Sequence, residues 1–299
     1  MLTKKRLRIA VQKKGRLKAV TDNLFTHCGL QFSQTKNSLV VRCKNFPIDL
    51  LLVRDDDIPV MVIDQACDLG IVGENVLLEK KLARQAHNKS FAYQTLLACE
   101  FARCRLAIAM PALNAGSDIE WLQARTIATS YPNILQDYLA KNNLDAKVVD
   151  IAGSVELMPS LGMADAICDL VSTGKTLEEN NLVEFATVLQ SQAVVIRAQT
   201  QLSSSKEELI ALLLRRFRGV IKAQSSKYIM FHAPLSSVDD ITALLPGAET
   251  PTIMPFGDGS RKAVVHLVAA ETVFWDTLEA IKNIGASSIL VLPIEKMMS

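Results

Sequence analysis

Aromatic residues make up only 5% of this 299-residue chain, too few for the stacking platform on which single-stranded nucleic acid lies. Histidine is scarcer still, with four residues and none spaced as a ligand pair, which argues against a transition metal held by the protein. The six cysteines, Cys28, Cys43, Cys67, Cys99, Cys104 and Cys168, include no Cys-x-x-Cys pair. They read as small buried hydrophobes in a reducing compartment, not as disulfides or zinc ligands. No excess of one charge exists either: the formal net charge is +2, so a basic footprint must be local. The candidate is Lys4, Lys5, Arg6, Arg8, Lys13, Lys14 and Arg16, a solvated edge unless it gathers polyphosphate or nucleic acid. No uncharged apolar run reaches the roughly 18 residues that a membrane span needs, and Leu7–Val11, broken by Arg8, is too short for a signal peptide. The expectation is a cytoplasmic protein with no membrane and no nucleic-acid partner. What is plentiful is hydrophobic residue, 49% against 21% charged, enough for two or three domains with their own cores.

The most informative stretch runs from Glu156 to Leu177. It predicts a buried strand, Ala166–Val171, apolar but for Asp169, running into Ser172-Thr173-Gly174-Lys175-Thr176 and a new helix. Gly174 permits close backbone approach, three hydroxyls donate hydrogen bonds, Lys175 adds charge, and the helix start offers N–H groups. Such a loop suits a phosphate. The Gly-Lys-Thr tail invites a P-loop reading, but that motif needs a glycine where this chain has Asp169, so a P-loop kinase is a poor fit. A carboxylate before the cradle suits a sugar phosphate instead, since its oxygens accept hydrogen bonds from vicinal ribose hydroxyls. A hydroxyl-rich helix cap with no ligand is the bland alternative.

Elsewhere the pattern repeats. A strand over Arg6–Val11 turns through Gly15 and Arg16 into a helix from Leu17 to about Cys28, making Lys13 and Arg16 anion candidates unless they are solvated. A hairpin at Leu39–Cys43 and a strand over Ile48–Val53 precede Arg54-Asp55-Asp56-Asp57-Ile58-Pro59. The three acids read as a cap and first turn for a helix over Ile58–Ala66, in preference to a magnesium site, and Arg54 has the better claim to a ligand. Asp68-Leu69-Gly70-Ile71-Val72-Gly73-Glu74-Asn75 loosely repeats the grammar of the phosphate stretch, which suggests two similar α/β lobes facing across a cleft, with Gly73, Glu74 and Asn75 lining it. In the second lobe, strands and helices alternate through Ser130-Tyr131-Pro132 and a helix after Gly153-Ser154. Strands at Phe185–Val188 and Ala193–Ile196 are expected to return to the first lobe, and a helix over Glu207–Ala223 follows. From Ser226 the order becomes βαββαβ, a ferredoxin-like module with a helix over Thr272–Ile284 and no catalytic constellation.

Glu156, Gly162, Ala164, Ile167, Asp169-Leu170, Thr173-Gly174 and Thr176-Leu177 resemble, position for position, the signature of the ATP phosphoribosyltransferase family. Lys14-Gly15-Arg16, Arg54–Pro59, Asp68–Asn75, Ala128–Pro132 and Ile289–Pro293 extend the resemblance over essentially the whole chain. It implies a two-lobed, periplasmic-binding-protein-like catalytic core with a ferredoxin-like regulatory domain: lobe I over 1–103 with 184–223 returning to it, lobe II over 104–183, and a histidine-binding domain over 224–299. It also implies transfer of the phosphoribosyl group of phosphoribosyl pyrophosphate to N1 of ATP, the first step of histidine biosynthesis. By resemblance, Asp169 takes the ribose hydroxyls and Ser172, Thr173, Gly174, Lys175 and Thr176 the 5′-phosphate, with Lys175 at a variable place. Ribose recognition would rest on Asp169 alone. Lys13, Arg16, Arg54, Gly73 and Glu74 are the ATP-side candidates, Arg16 and Arg54 for the polyphosphates and Glu74 for the adenine or ribose. Mg²⁺ would come with the substrate. Histidine, with AMP beside it, would inhibit, and the chain would pass between an active dimer and an inhibited hexamer. A non-catalytic two-lobed solute-binding or sensor protein is the alternative.

Overall fold

Parallel strands covered on both faces must be apolar along their whole length, and the stretches here that meet this demand sort into two sheets. The computed structural model describes residues 6–33, 38–245, 247, 249–257, 259–270, 272 and 275–297. Lys4 and Lys5 of the basic cluster, and Val273 and Phe274 of the expected helix, lie outside the described residues. The first lobe contains β1 (Leu7–Gln12), α1 (Arg16–His27), β2 (Val40–Arg42), β3 (Ile48–Val53), α2 (Ile58–Ile63), β4 (Leu69–Gly73), α3 (Glu74–Ala86) and β5 (Tyr93–Ala98). The second contains β6 (Cys104–Pro111), β7 (Thr126–Thr129), α4 (Pro132–Lys141), β8 (Lys147–Asp150), β9 (Ala166–Val171), α5 (Lys175–Glu179) and β10 (Leu182–Ser191). Then β11 (Ala193–Ala198) crosses back and α6 (Ser204–Gln224) follows.

The sheet orders are β2-β3-β1-β4-β11-β5 and β10-β6-β9-β7-β8. In the first, β1 runs parallel to β3 and β4, and β11 lies antiparallel to β4. In the second, β7 runs parallel to β8 and β9, and β6 lies antiparallel to β9. Both lobes therefore share one plan: three parallel strands, then an antiparallel strand delivered by a crossing from the other lobe. The likeness reaches individual atoms. Asp68, just before β4, accepts a hydrogen bond from Arg8 N (2.8 Å) and donates its own N–H to Arg8 O (2.9 Å). Asp165, just before β9, makes the same pair of bonds with Thr126, at 2.8 Å each. In the first lobe the carboxylate also receives Lys206 Nζ at 2.8 Å on both oxygens, with both side chains nearly inaccessible. Removing one partner of such a pair costs about 3–5 kcal/mol, so α6 starts from a firm anchor.

Three local expectations are corrected. The strand expected at Phe185–Val188 belongs to β10, which pairs with β6 in the second sheet, so only β11 returns to the first lobe. Two bulges along β10 let it follow the outer edge of β6, which would otherwise offer unpaired backbone groups. The three aspartates form a 3₁₀ turn of their own, Asp55–Asp57, and Asp57 caps α2 with no side-chain hydrogen bond. After Gly153-Ser154 there is only a 3₁₀ turn, Val155–Leu157.

Contacts divide the chain within α6, between Leu209 and Ile210, and the second unit also takes Leu24–Gly29 from the end of α1. There Phe25 packs against Phe217, with ring centroids 5.9 Å apart and planes tilted by 37°, and Arg216 Nη1 donates to Cys28 O at 2.8 Å. The rest of this unit is β12 (Ser226–Pro234), α7 (Val238–Ala243), β13 (Thr252–Pro255), β14 (Lys262–Ala270), α8 (Trp275–Asn283) and β15 (Ser287–Pro293). Its sheet order, β13-β14-β12-β15 with every neighbour antiparallel, is the ferredoxin-like arrangement that the βαββαβ order predicts. Ile229, Phe231, Val265, Leu267 and Ile281 form its core. Among the described residues no helix is long and apolar enough to cross a membrane.

Candidate active site

The parallel strands of both lobes end on one cleft of about 610 Å³, the place where open α/β sheets bind ligands. From the first lobe come Gln12 at the end of β1, Arg16 at the start of α1, Asp55, and Gly73 and Asn75 at the β4–α3 corner. From the second come Tyr131, Glu156 and the whole run Asp169–Leu177. The buried part of β9 fixes the start of the loop Ser172–Gly174, and Gly174, with φ of +86°, turns it into α5. Open space lies around Gly174: an added Cβ would meet no atom within 4 Å. Arg105, on β6, pairs with Glu184 at 2.7 Å and reaches Ser172 O at 3.4 Å, so the loop is backed by an ion pair in its own sheet.

Charge from the other lobe arrives through Arg16, whose Nη1 donates to Ser172 Oγ at 2.7 Å. Asp169 faces the cleft with Oδ1 accepting from Leu170 N at 2.8 Å. Partial burial pushes its carboxyl pKa above the usual range, more than the Leu170 bond lowers it, and the charge of Glu156 pushes it the same way. The wall behind is braced across strands: Thr129 Oγ1 donates to Cys168 O at 2.6 Å and accepts from Tyr131 N at 2.9 Å. Tyr131 OH in turn accepts from Asn75 Nδ2 at 2.9 Å, while Asn75 Oδ1 accepts from Ser191 Oγ, also at 2.9 Å. Burial raises the Tyr131 pKa, so it stays a neutral donor and acceptor.

Of the residues singled out from sequence, Asp169, Ser172, Thr173, Gly174, Lys175, Thr176, Arg16, Gly73 and Asn75 come together on this cleft. Lys13, Arg54 and Glu74 are not among its lining residues. Lys13 and Arg54 are exposed, and Glu74 turns away, its Oε2 accepting from Gln192 N at 3.2 Å. Gln12, Asp55, Glu156 and Cys104 line the cleft without having been singled out as site residues. Glu156 belongs to the long signature, and that was the available signal. Glu156 reaches the cleft that Asp169 lines from a separate turn, Val155–Leu157. The other cysteines are buried and free, with burial pushing Cys67 up to about 11 and Cys28 and Cys99 up to about 12.

Among the described residues no group of three His, Cys, Asp or Glu side chains converges to hold a metal ion. The two acids at the loop fit a cation that arrives on a polyphosphate, which keeps most of its coordination to phosphate and water.

Residues 54–219 match the family model for ATP phosphoribosyltransferase (HisG), and residues 223–296 match that for the HisG C-terminal domain. A chain of the ATP phosphoribosyl transferase (HisG:HisZ) complex from Thermotoga maritima is 27% identical, with a TM-score of 0.60, over 72% of this chain and 98% of that one. The alkanesulfonate-binding protein SsuA from Xanthomonas axonopodis pv. citri is 14% identical, with a TM-score of 0.44, over 73% of this chain and 74% of that one. The chain belongs to the ATP phosphoribosyltransferase family, in the long form with the C-terminal domain, and is a metal-dependent pentosyl transferase of histidine biosynthesis.

Proposed function

We propose that the cleft binds phosphoribosyl pyrophosphate on the second lobe and ATP toward the first, and joins the sugar C1 to N1 of the adenine. The observation that carries this is the open loop Ser172–Thr176, with Asp169 before it and Arg16 laid over it from the opposite lobe. The loop's hydroxyls and backbone take the 5′-phosphate, with Gly174 allowing close approach. Asp169 and Glu156 accept from the 2′- and 3′-hydroxyls. Arg16 exchanges Ser172 Oγ for a phosphate oxygen, a stronger, charge-assisted partner.

In the reaction the N1 lone pair forms the new C–N bond as the C1–O bond breaks, and the electron pair of that bond leaves with pyrophosphate. No base must first create the nucleophile, so catalysis comes from alignment and charge stabilisation. Carboxylates beside the sugar favour the positive charge that develops at C1, and Arg16 favours the negative charge on the leaving group. Mg²⁺ arriving on the polyphosphates would be held there by phosphate oxygens and water, with Asp169 and Glu156 as the acids on the second-lobe side of the cleft, and would supply positive charge against the leaving pyrophosphate. Lys13, Arg54 and Glu74 drop to the rim of this scheme. The C-terminal domain binds histidine as feedback inhibitor, with AMP acting beside it, by shifting the chain from an active dimer to an inhibited hexamer in the cytoplasm.

The test is the near-ultraviolet absorbance of the full chain with ATP, phosphoribosyl pyrophosphate, Mg²⁺ and pyrophosphatase. A rise that needs both substrates is expected, with histidine suppressing it. Phosphoribosyl pyrophosphate bound but never consumed would favour the solute-binding alternative. A rise indifferent to histidine would keep the enzyme and remove the regulatory assignment.

A further inference from the structure

The N-terminus of α4 lies in the second lobe, yet its cap comes from the first. Its own N-cap residue, Tyr131, makes no side-chain capping bond. Instead the carboxylate of Glu79, on α3, takes Asn133 N at 3.0 Å and Asn133 Nδ2 at 2.6 Å on Oε1, and Ile134 N at 2.9 Å on Oε2. Glu79 is only 8% exposed. A buried carboxylate on the first-turn amides of a helix is a strong, charge-assisted cap, and this one ties two lobes together. Asn75, which holds Tyr131 OH, stands four residues earlier on α3 and therefore on the same helix face. One face of a first-lobe helix thus grips the second lobe at two points, on either side of Pro132.

Those points lead straight to the chemistry. Tyr131 lines the cleft, and its N–H bonds Thr129 Oγ1, which bonds Cys168 O, next to Asp169. At the other end, α3 starts from Gly73, also on the cleft wall. We propose that Glu79 is a positioning residue that sets the opening between the lobes, so that ATP on the first and phosphoribosyl pyrophosphate on the second meet at reacting distance. The proposal rests on the assignment of the two substrates given above. It makes a distinction that simple stabilisation does not: binding to the second lobe's loop alone should survive loss of Glu79, while the step that needs both lobes should not.

The experiment compares Glu79→Ala, Glu79→Gln and Asn133→Ala in the full chain. Thermal melting, kcat per folded molecule and the Kd of phosphoribosyl pyrophosphate alone by calorimetry are measured for each. Displacement by about 1 Å costs on the order of 100-fold in rate, so Glu79→Ala should lose about that in kcat while its Kd stays within about threefold. Glu79→Gln keeps the shape but points an N–H₂ at one of the α4 amides, and should fall roughly 10-fold in kcat. Asn133→Ala removes one of the three donors and should fall less, in the same parameter. Should Glu79→Ala fail to fold, the other two decide. Unchanged kcat per folded molecule in them, or a Kd weakened as much as kcat/KM, would overturn the proposal. A Thr173→Ala/Thr176→Ala variant run alongside separates the two readings: an unchanged Kd there would defeat the loop assignment, whatever Glu79 does.

Discussion

After β4 and after β9 the chain does the same thing, leaving a buried parallel strand through a glycine into a helix. At the first corner Gly73 opens α3, of 13 residues; at the second Gly174 opens α5, of five. Aligned on those glycines, Glu74 matches Lys175 and Asn75 matches Thr176. The first corner is filled by its own protein. Asn75 is buried and satisfied by Ser191 and Tyr131, and an added Cβ on Gly73 would lie 2.3 Å from Asn75 Oδ1. At the second, Ser172, Thr173 and Thr176 are exposed on the cleft. One strand–glycine–helix plan therefore serves as a joint in one lobe and as a cradle in the other. The strand does not decide this; what fills the turn does.

The largest effect should come from removing the charge beside the open corner. Asp169→Asn keeps the shape and loses the ionised acceptor, and a hydrogen bond to a charged group is worth about 1.5–3 kcal/mol. A fall of about 10- to 150-fold in kcat/KM for phosphoribosyl pyrophosphate is expected. Because the pKa of Asp169 is raised, kcat/KM should climb with pH through a value above the ordinary carboxylate range, and the variant should lack that climb. The stability effect has the opposite sign. A carboxyl that holds its proton more tightly folded than unfolded loses stability as pH rises from its unfolded pKa, and the cost is complete once pH exceeds its folded pKa, so Asp169→Asn should melt higher than the parent at neutral pH. A lower melting temperature would mean that the acid is structural, and the contrast between joint and cradle would weaken.

The glycines offer a swap. Gly73→Ala must push Asn75 Oδ1 off Ser191, and leaving buried polar groups unpaired costs about 1–3 kcal/mol. Gly174→Ala meets no atom but must hold a positive φ, at about 1–2 kcal/mol. We expect Gly73→Ala to lose more melting temperature and Gly174→Ala to lose more affinity for phosphoribosyl pyrophosphate. Equal losses in both measurements would show the two corners to be equivalent.

How much of this could be read beforehand depended on whether the signal was local. β9 was legible to the residue because a run of six residues, apolar but for Asp169 and ended by hydroxyls and glycine, is too short for a buried helix. The ferredoxin-like order was legible for the same reason. Placement of Phe185–Val188 was not, since a strand's composition does not say which edge it will close, and the edge of β6 is defined by residues some eighty positions away. The triple aspartate was legible in part: Asp57 does cap α2, with Pro59 in its first turn, but charge alone does not say that the three acids make a turn of their own, which brings Asp55, and not Arg54, to the cleft lining. Glu79 carried no signal, because an acid inside an amphipathic helix reads as a solvated face until α4 is seen beside it.

Lys175 should give the smallest effect, and the paired corners say why. Its counterpart Glu74, also the first residue of its helix, turns from the cleft to Gln192. Lys175 turns back along its own helix, with Nζ 3.7 Å from Glu179 Oε1 and side chains 78% and 62% exposed. A pair so exposed contributes about 0.3–0.5 kcal/mol at most. Lys175→Ala should therefore change the melting temperature hardly at all and raise the KM for phosphoribosyl pyrophosphate by about threefold or less, through lost long-range attraction. Thr176→Ala, the counterpart of Asn75, should raise it more, because a hydroxyl that contacts the phosphate is worth about 1.5–3 kcal/mol. If Lys175→Ala instead cost more than Thr176→Ala, the first residue of α5 would be a ligand. The likeness between the corners would then stop at the backbone.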